Sequence, residues 1–429
     1  MSRRQLNPIS QPLFGEIDVP GDKSISHRAV ILGSLAKGET KVTHFLTSDD
    51  CLHTINAFRA LGVCIEKNGS TLYIRSNGHF SLTEPKAPLY FGNSGTTARL
   101  MLGVLAGIPL FTTIYGDPFL TERPMDRVVH PLRQMGATID GRLDGNYLPI
   151  MIRGKQLDGM TYTLPVKSAQ VKSALLLAGL FAQGETTVVE QAMTRNHTEN
   201  MLKAFGAHID MTGDQITVSH TEQLTATNVH VPGDISSAAF FLAGAAIVPG
   251  SQLTLKSTGL NETRTGIIDV LQQMGANLHI HREQQVSGER FGHITINYKQ
   301  LYGITIEGDI IPRLIDEIPI IALLATQAKG TTIIKNAEEL RVKETDRISA
   351  VVNILSKLGA DIEETPDGMI IKGPTPLYGN NVSAYHDHRM AMMIAIASLI
   401  AQGMVILDDD SSIDVSYPQF FEHLHQVSQ

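Results

Sequence analysis

Apolar positions along the chain alternate between two textures. One is apolar nearly all round, as in SALLLAGLFA (173–182), SSAAFFLAGAAI (236–247), IPIIALLATQA (318–328) and MAMMIAIASLIA (390–401). Such runs predict helices buried inside a domain rather than laid on its surface. The other texture is a helix-period stretch that closes on glycine and gives way to alternation: FRALGVCIEK, LRQMGATIDG, LKAFGAHIDM, LQQMGANLHI and LSKLGADIEE. Its glycines, Gly62, Gly136, Gly206, Gly275 and Gly359, are 74, 70, 69 and 84 residues apart. A third phrase, small residue plus glycine and then a β-branched strand, interleaves six times: AKGETKVTHF, AGIPLFTTIY, AQGETTVVEQ, VPGSQLTLKS, AKGTTIIKNA and AQGMVILDDD.

These phrases describe one repeated unit. A Gly/Ser-rich polar start leads into a buried helix, and a glycine ends it. A strand follows, then an amphipathic helix, then one or two alternating strands. The sixth copy lacks the final glycine phrase and stops at FFEHLHQVSQ. The frame VPGD occurs at 19–22 and again at 231–234, 212 residues on. Six units in two halves predict an α/β chain of two similar domains of three units each, with strands outside around parallel buried helices. The polar starts of those helices are expected to face the other domain, which puts the active site in the cleft between them.

The 429 residues suit two or three domains, and 42% apolar against 18% charged content leaves no sign of disorder. A net charge of −8 argues against a general polyanion binder, so nucleic acid is not expected as a partner. Any anion must meet a local cluster, and helix N-termini with unpaired N–H groups supply one. Cys51 and Cys64 form no metal or disulfide pattern. MSRRQLNPIS has no apolar core of a signal peptide, and the apolar runs fall short of the roughly 18 residues of a membrane span. A cytoplasmic protein without a membrane partner is expected.

The polar starts hold the charged residues. In DKSISHR (22–28), Lys23 and His27 are four apart, as are Ser24 and Arg28, which places each pair on one helical face. Cations there oppose the helix dipole, a conflict that a bound anion would relieve. FGNSGTTARL (91–100) is a small-residue turn into a helix with Arg99 in its first turns; it lacks the Lys-Ser/Thr pair of a nucleotide-binding loop. LTERPMDRVVHPLR gathers Arg123, Arg127 and Arg133, with Arg123 held extended by Pro124. VKSAQVKSALLLAG carries Lys167, Ser168, Gln170 and Lys172, and RNHTE adds Arg195. IPRLIDEIP places Asp316 and Glu317 where a carboxylate caps a helix. In LRVKETDRIS, Lys343 and Arg347 share a helical face with Glu344 between them in sequence, the setting of a carboxylate tuned for proton transfer. HDHRMAMM brings Arg389 to the last buried helix; His386 and His388 match no metal pattern. Each segment alone also reads as a solvated turn or a capped helix. Their shared slot in the repeat points to one anion-binding site.

DKSISHR, GNSGTTARL, ERPMDRV, KSAQVKSALLLAGL, IDEIPI, RVKETDR and HDHRMAM together resemble the EPSP synthase family, the 3-phosphoshikimate 1-carboxyvinyltransferases, over essentially the whole chain. The resemblance implies the enolpyruvyl transferase fold, an inside-out α/β barrel of three βαβαββ repeats in each domain, with the chain crossing between domains at the two VPGD frames, so that one domain takes 1–20 plus 232–429 and the other 21–231. It implies transfer of the enolpyruvyl group of phosphoenolpyruvate to the 5-hydroxyl of shikimate 3-phosphate, by addition and then elimination of phosphate, without metal or organic cofactor. Carried onto this sequence, Lys23, Ser24, Arg28, Ser168, Gln170, Arg195, Asp316 and Lys343 bind shikimate 3-phosphate. Lys23, Gly95, Arg123, Gln170, Arg347 and Arg389 bind phosphoenolpyruvate. Asp316 faces the 5-hydroxyl as base, Glu344 protonates the methylene carbon, and Lys23 assists the leaving phosphate. Repulsion between two anionic ligands accounts for so many cations.

Ser168-Ala169-Gln170 stands where many members have Ser-Ser-Gln, and Val415 where many have a lysine before the terminal Tyr-Pro. These wordings and Arg195 resemble the class II branch. Gly95 implies room for the inhibitor glyphosate. The alternative reaction, on UDP-N-acetylglucosamine, belongs to a sister family with a cysteine in the loop before Arg-Pro-x-Asp; YGDPFLTERPMD has none. A non-catalytic anion-binding scaffold would gain nothing from Asp316 and Glu344. A monomer is expected.

Overall fold

A computed structural model describes residues 3–429, the side chain of Val415 excepted, so the expectation at that position lies outside the described residues. The chain forms two compact units. A flanking unit comprises the residues through Pro20, Pro232–Gln284 and Arg290–Gln429; an inserted unit comprises Gly21–Val231 with Gln285–Glu289.

The inserted unit alternates buried and amphipathic helices. Buried helices α1 (Lys23–Leu35), α3 (Gly95–Gly107) and α5 (Ala169–Gly179) alternate with α2 (Asp49–Ala60), α4 (Asp126–Gln134) and α6 (His197–Ala204). Each buried helix starts on a side-chain cap. The oxygens of Asp22, Ser94 and Ser168 accept the backbone N–H of Ile25, Thr97 and Val171. Each amphipathic helix stops where a glycine takes a positive φ: Gly62 at 95°, Gly136 at 96° and Gly206 at 84°. Only glycine enters that region without strain, so these positions fix where the chain turns back. Leu175, Leu176 and Leu177 are all buried on α5, each contributing about 2 kcal/mol on burial. α3 and α5 touch at Gly103, where a Cβ would lie 2.1 Å from the carbonyl oxygen of Ala174.

Three larger sheets and a two-stranded ladder complete the unit among the described residues. In the second, Leu89–Tyr90 runs parallel to Phe111–Tyr115, then Tyr147–Arg153 and Thr138–Gly141 follow antiparallel. Glu185–Val189 heads the same pattern in the third, with Thr161–Thr163 parallel beside it. The first adds Val229–His230 beside Ala36–Thr43.

The flanking unit repeats this grammar with buried helices α7 (Ile235–Ile247), α9 (Ile318–Gln327) and α11 (His388–Ser398). Its amphipathic helices are α8 (Gly266–Gln273), α10 (Arg347–Lys357) and α12 (Phe420–Val427). All thirteen residues of α7 are buried. Phe14–Asp18 pairs in parallel with Gln252–Gly259, and Arg4–Leu6 pairs antiparallel with Val405–Leu407, so the start of the chain completes two sheets of this unit. The Val405–Leu407 sheet has three strands where the others have at least four, apart from a two-stranded ladder in the inserted unit. The sixth repeat thus carries no closing hairpin.

Two local expectations fail. Lys343 and Arg347 do not share a helical face: Lys343 ends a 3-10 turn over Glu338–Val342, and α10 begins at Arg347. Asp346 sets that boundary by accepting the N–H groups of both Ile348 and Ser349. Glu317 occupies the cap position of α9 but its side chain makes no cap bond; it accepts the hydroxyl of Ser236 instead. A helix can forgo that cap when a buried hydroxyl competes for the same carboxylate.

Candidate active site

In the inserted unit, Lys23 and Ser24 open α1 and are partly exposed. The Lys23 ammonium lies 3.2 Å from Asp50 on α2. Arg28, one turn on, is buried and braced on three sides. Its Nε donates to Thr198 Oγ1 at 2.6 Å, one terminal nitrogen to Ser173 Oγ at 2.7 Å and the other to the carbonyl of Ser24 at 2.9 Å. Burial pushes the guanidinium down to about 10, against the pull of Glu199 and Asp22, and Arg195 adds to the lowering. That mutual effect places Arg195, two residues before α6, in the field of Arg28. Ser168 caps α5 and Gln170 lies in its first turn.

A second knot joins α3 to α5. Arg99 donates to Gln170 Oε1 at 2.6 Å and to the carbonyl of Pro124 at 3.2 Å, while Gln170 Nε2 donates to Thr96 Oγ1 at 3.0 Å. Gly95 is the first residue of α3. A Cβ on it would lie 3.1 Å from a terminal nitrogen of Arg99 and 3.2 Å from one of Arg123. Two guanidinium groups thus converge over a glycine at a helix N-terminus, a strong anion-binding arrangement. In sequence, Arg99 stands out only as part of its loop. Its four-residue spacing from Gly95 was the signal available. Arg133, grouped with Arg123 by sequence, instead braces the carbonyl of Ile139 and Asp144.

His27 is buried behind this site. Its Nδ1 pairs with Thr54 Oγ1 at 2.7 Å, Thr54 with Thr97 at 2.8 Å, and Thr97 with the capping Ser94 at 2.7 Å. Burial first, then Lys23 and Arg28, hold the imidazole well below its ordinary range, so it is neutral near pH 7.

In the flanking unit the polar residues gather on Arg347, whose side chain is 1% exposed. Its guanidinium meets Asp387 at 2.8 Å, Glu344 at 2.6 Å and Asp316 at 3.2 Å. Burial works against the charge, but Asp387, Glu344 and Asp316 outweigh it and keep Arg347 above its usual range. Asp387 also caps α11 through the N–H of Arg389. Arg389 donates to the Asp316 carbonyl at 3.1 Å. Desolvation draws Lys343 below the ordinary lysine range, opposed by Asp316 and Glu344 and reinforced by Arg347, so all four share one cluster. Behind it Arg264 contacts Asp234 at 3.2 Å and donates to Ser236 at 2.6 Å.

Each predicted residue therefore falls into one of two sets. Lys23, Ser24, Arg28, Gly95, Arg123, Ser168, Gln170 and Arg195 lie at helix starts and turns of the inserted unit; Asp316, Lys343, Glu344, Arg347 and Arg389 cluster in the flanking unit. The partners Asp50, Ser173, Thr198 and Asp387 carried no signal in sequence. Among the described residues no group of three or more His, Cys, Asp or Glu could hold a metal ion, and no helix is long and apolar enough to cross a membrane.

Comparison with known proteins gives the same direction throughout. A family model for EPSP synthase (3-phosphoshikimate 1-carboxyvinyltransferase) matches residues 8–424. The 3-phosphoshikimate 1-carboxyvinyltransferase of Oceanobacillus iheyensis is 59% identical over 427 residues, covering 100% of both chains. That of Geobacillus kaustophilus is 56% identical over 99% of this chain and 100% of its own. A solved EPSP synthase from Acinetobacter baumannii superposes with a TM-score of 0.91 at 41% identity, covering 99% of this chain and 98% of that one. The enolpyruvyl transferase NikO from Streptomyces tendae, at 17% identity, shares the fold with a TM-score of 0.79 over 99% of this chain and 96% of its own. The family model over residues 8–424, with relatives above 50% identity along the full length, establishes that the chain belongs to the EPSP synthase family and has the 3-phosphoshikimate 1-carboxyvinyltransferase activity of the shikimate pathway.

Proposed function

We propose that the two sets serve one pair of substrates, with acid–base work in the flanking unit and most anion binding in the inserted unit. Lys23, Ser24, Arg28, Ser168, Gln170, Arg195, Asp316 and Lys343 hold shikimate 3-phosphate. Lys23, Gly95, Arg123, Gln170, Arg347 and Arg389 hold phosphoenolpyruvate. The observation that carries the assignment is the Arg347 clamp. One buried guanidinium, shared with Asp387, holds Asp316 and Glu344 at 3.2 and 2.6 Å and so fixes the places of two carboxylates.

In the addition step, Asp316 takes the proton of the 5-hydroxyl as its oxygen bonds to C2 of phosphoenolpyruvate. Glu344 delivers a proton to C3, turning the methylene into a methyl group. In the elimination step, Glu344 removes a proton from that methyl group, the C2–O bond to phosphorus breaks, and phosphate leaves with the electron pair. Lys23 offsets its charge, and the proton on Asp316 passes to the product phosphate. Positioned proton transfer of this kind contributes about 10²- to 10⁴-fold. Phosphate release from phosphoenolpyruvate and shikimate 3-phosphate tests it. Glu344→Gln is expected to lower kcat by about that factor with little change in either KM, and a wild-type kcat in Glu344→Gln overturns the role.

We further assign the chain to the class II branch, on Ser168-Ala169-Gln170 and Arg195, as a cytoplasmic monomer. Gly95 leaves space for glyphosate beside Arg99 and Arg123; a methyl group there presses on both guanidinium groups. Gly95→Ala is expected to weaken glyphosate more than phosphoenolpyruvate, measured as the ratio of inhibition constant to KM.

A further inference from the structure

A fully buried charge cluster in the inserted unit has no part in the chemistry above. Lys172 on α5 has a wholly buried side chain. Its ammonium meets Glu190 at 3.0 Å, Glu199 at 2.5 Å and the carbonyl of Thr194 at 3.5 Å. An ammonium has three donors, so these three contacts occupy it and leave none for a substrate. Glu190 in turn accepts the N–H of Thr194 at 3.1 Å and its hydroxyl, which closes the turn over 190–194. Glu199 lies in the first turn of α6, two residues beyond the helix start. Lys172 therefore grips both ends of the segment 190–199, and Arg195 sits between the two grips. The next residue on α5, Ser173, bonds Thr198 at 2.7 Å, and both hydroxyls accept from Arg28.

A buried lysine with two carboxylates is weak support for stability, because desolvation offsets most of the attraction. Its geometric effect is specific. It ties the segment that carries Arg195 to the helix whose start carries Ser168 and Gln170, and beside the three hydroxyl and carbonyl oxygens that brace Arg28. We propose that Lys172, with Glu190 and Glu199, is a positioning cluster that sets Arg195 and Arg28 for the anionic acceptor and so governs acceptor affinity rather than phosphoenolpyruvate affinity. This rests on the assignment of Arg195 and Arg28 to the acceptor site.

Steady-state kinetics with both substrates varied test it, using Lys172→Met/Glu199→Gln, which removes one positive and one negative charge and leaves the net charge of the cluster unchanged. The expected result is a rise of about tenfold or more in KM for shikimate 3-phosphate, the scale of a lost charge-assisted contact. KM for phosphoenolpyruvate should stay within about twofold, because the Arg99–Gln170 knot is untouched. In an Arg195→Ala background the same double change should add less, only the part carried through Arg28. Unchanged acceptor KM in the folded double variant, equal rises in both KM values, or a full effect persisting without Arg195 each overturn the proposal. If the double variant does not fold, Glu190→Gln decides. It keeps an oxygen for Thr194 and should raise acceptor KM about threefold by weakening the charge contact alone, and no rise overturns the proposal. Arg195→Ala alone separates the two levels: unchanged acceptor KM in that variant refutes the assignment of Arg195 and the proposal with it.

Discussion

The two VPGD frames each open a buried helix, α1 and α7, on a capping aspartate. Asp22 caps the first through Ile25 and Asp234 the second through Ser236. Beyond the cap they diverge. α1 presents Lys23 and Arg28, and its carboxylate partner Asp50 comes from α2. At the corresponding positions α7 has Ile235 and Phe240, and the cation Arg264 comes from the turn before α8 to meet Asp234 and Ser236. The polarity of the pair is reversed between the copies. So is its exposure: the Lys23 side chain is 21% exposed and that of Arg264 is 3%. One frame leaves its charge partly open and the other closes its charge into the unit. The lesson is that a repeated start supplies a helix N-terminus, and the side of the pair that bears the cation decides whether that charge stays open or is closed in.

The sharpest way to break this comparison is to remove both cations. Lys23→Met should cut kcat/KM by about 10³, the scale of a lost donor to developing charge, while the urea midpoint moves little. Arg264→Met should do the opposite at first order, lowering stability by about 3–5 kcal/mol because Asp234 is left buried beside an empty place. Denaturant unfolding, together with initial rates over a range of substrate concentrations, separates the two. If Arg264→Met folds with wild-type stability, the closed-pair reading of α7 is wrong.

Acid titration sharpens it further. His27 on α1 corresponds to Ala239 on α7, so only the inserted unit carries this group. A buried neutral imidazole binds fewer protons than its unfolded form below the ordinary histidine pKa of about 6.5. The unfolded state then gains stability as pH falls, so folding stability should be flat above about 6.5 and drop below it, by at most about 1.4 kcal/mol per pH unit. His27→Asn should flatten that slope, read from urea midpoints at successive pH values. The smallest effect concerns the shared cap: Asp22→Ala should cost about 1 kcal/mol, visible as a modest fall in the same midpoint.

Much of the architecture was legible because it is written in short-range signals. Gly62, Gly136, Gly206, Gly275 and Gly359 each close an amphipathic helix with a positive φ, as their spacing predicted. The all-apolar runs lie in the cores. Polar starts were legible for a similar reason, since a helix N-terminus with excess cations is a local conflict. What sequence did not carry was partnership at long separation. Arg28 meets Ser173 and Thr198, 145 and 170 residues away, and nothing near Arg28 names them. Arg347 meets Asp387, 40 residues on. The two misread details have separate causes, one a helix that starts later than its spacing assumes and the other a distant partner that claims a side chain already in place. Asp346 delays α10 until Arg347, and Ser236 diverts Glu317 from capping.

The contact at Gly103 has a consequence for how freely this chain can vary. With the place of a missing side chain 2.1 Å from the Ala174 carbonyl, the distance between α3 and α5 is set by the absence of one carbon atom. A saturation library across α3 selected for growth without aromatic amino acids should tolerate serine at the partly exposed Thr96, since serine keeps the hydroxyl that accepts from Gln170. It should return the parent residue alone at position 103. The stacking of two repeats thus hangs on a coordinate that admits no neighbours in sequence space, and drift along this helix must go around it.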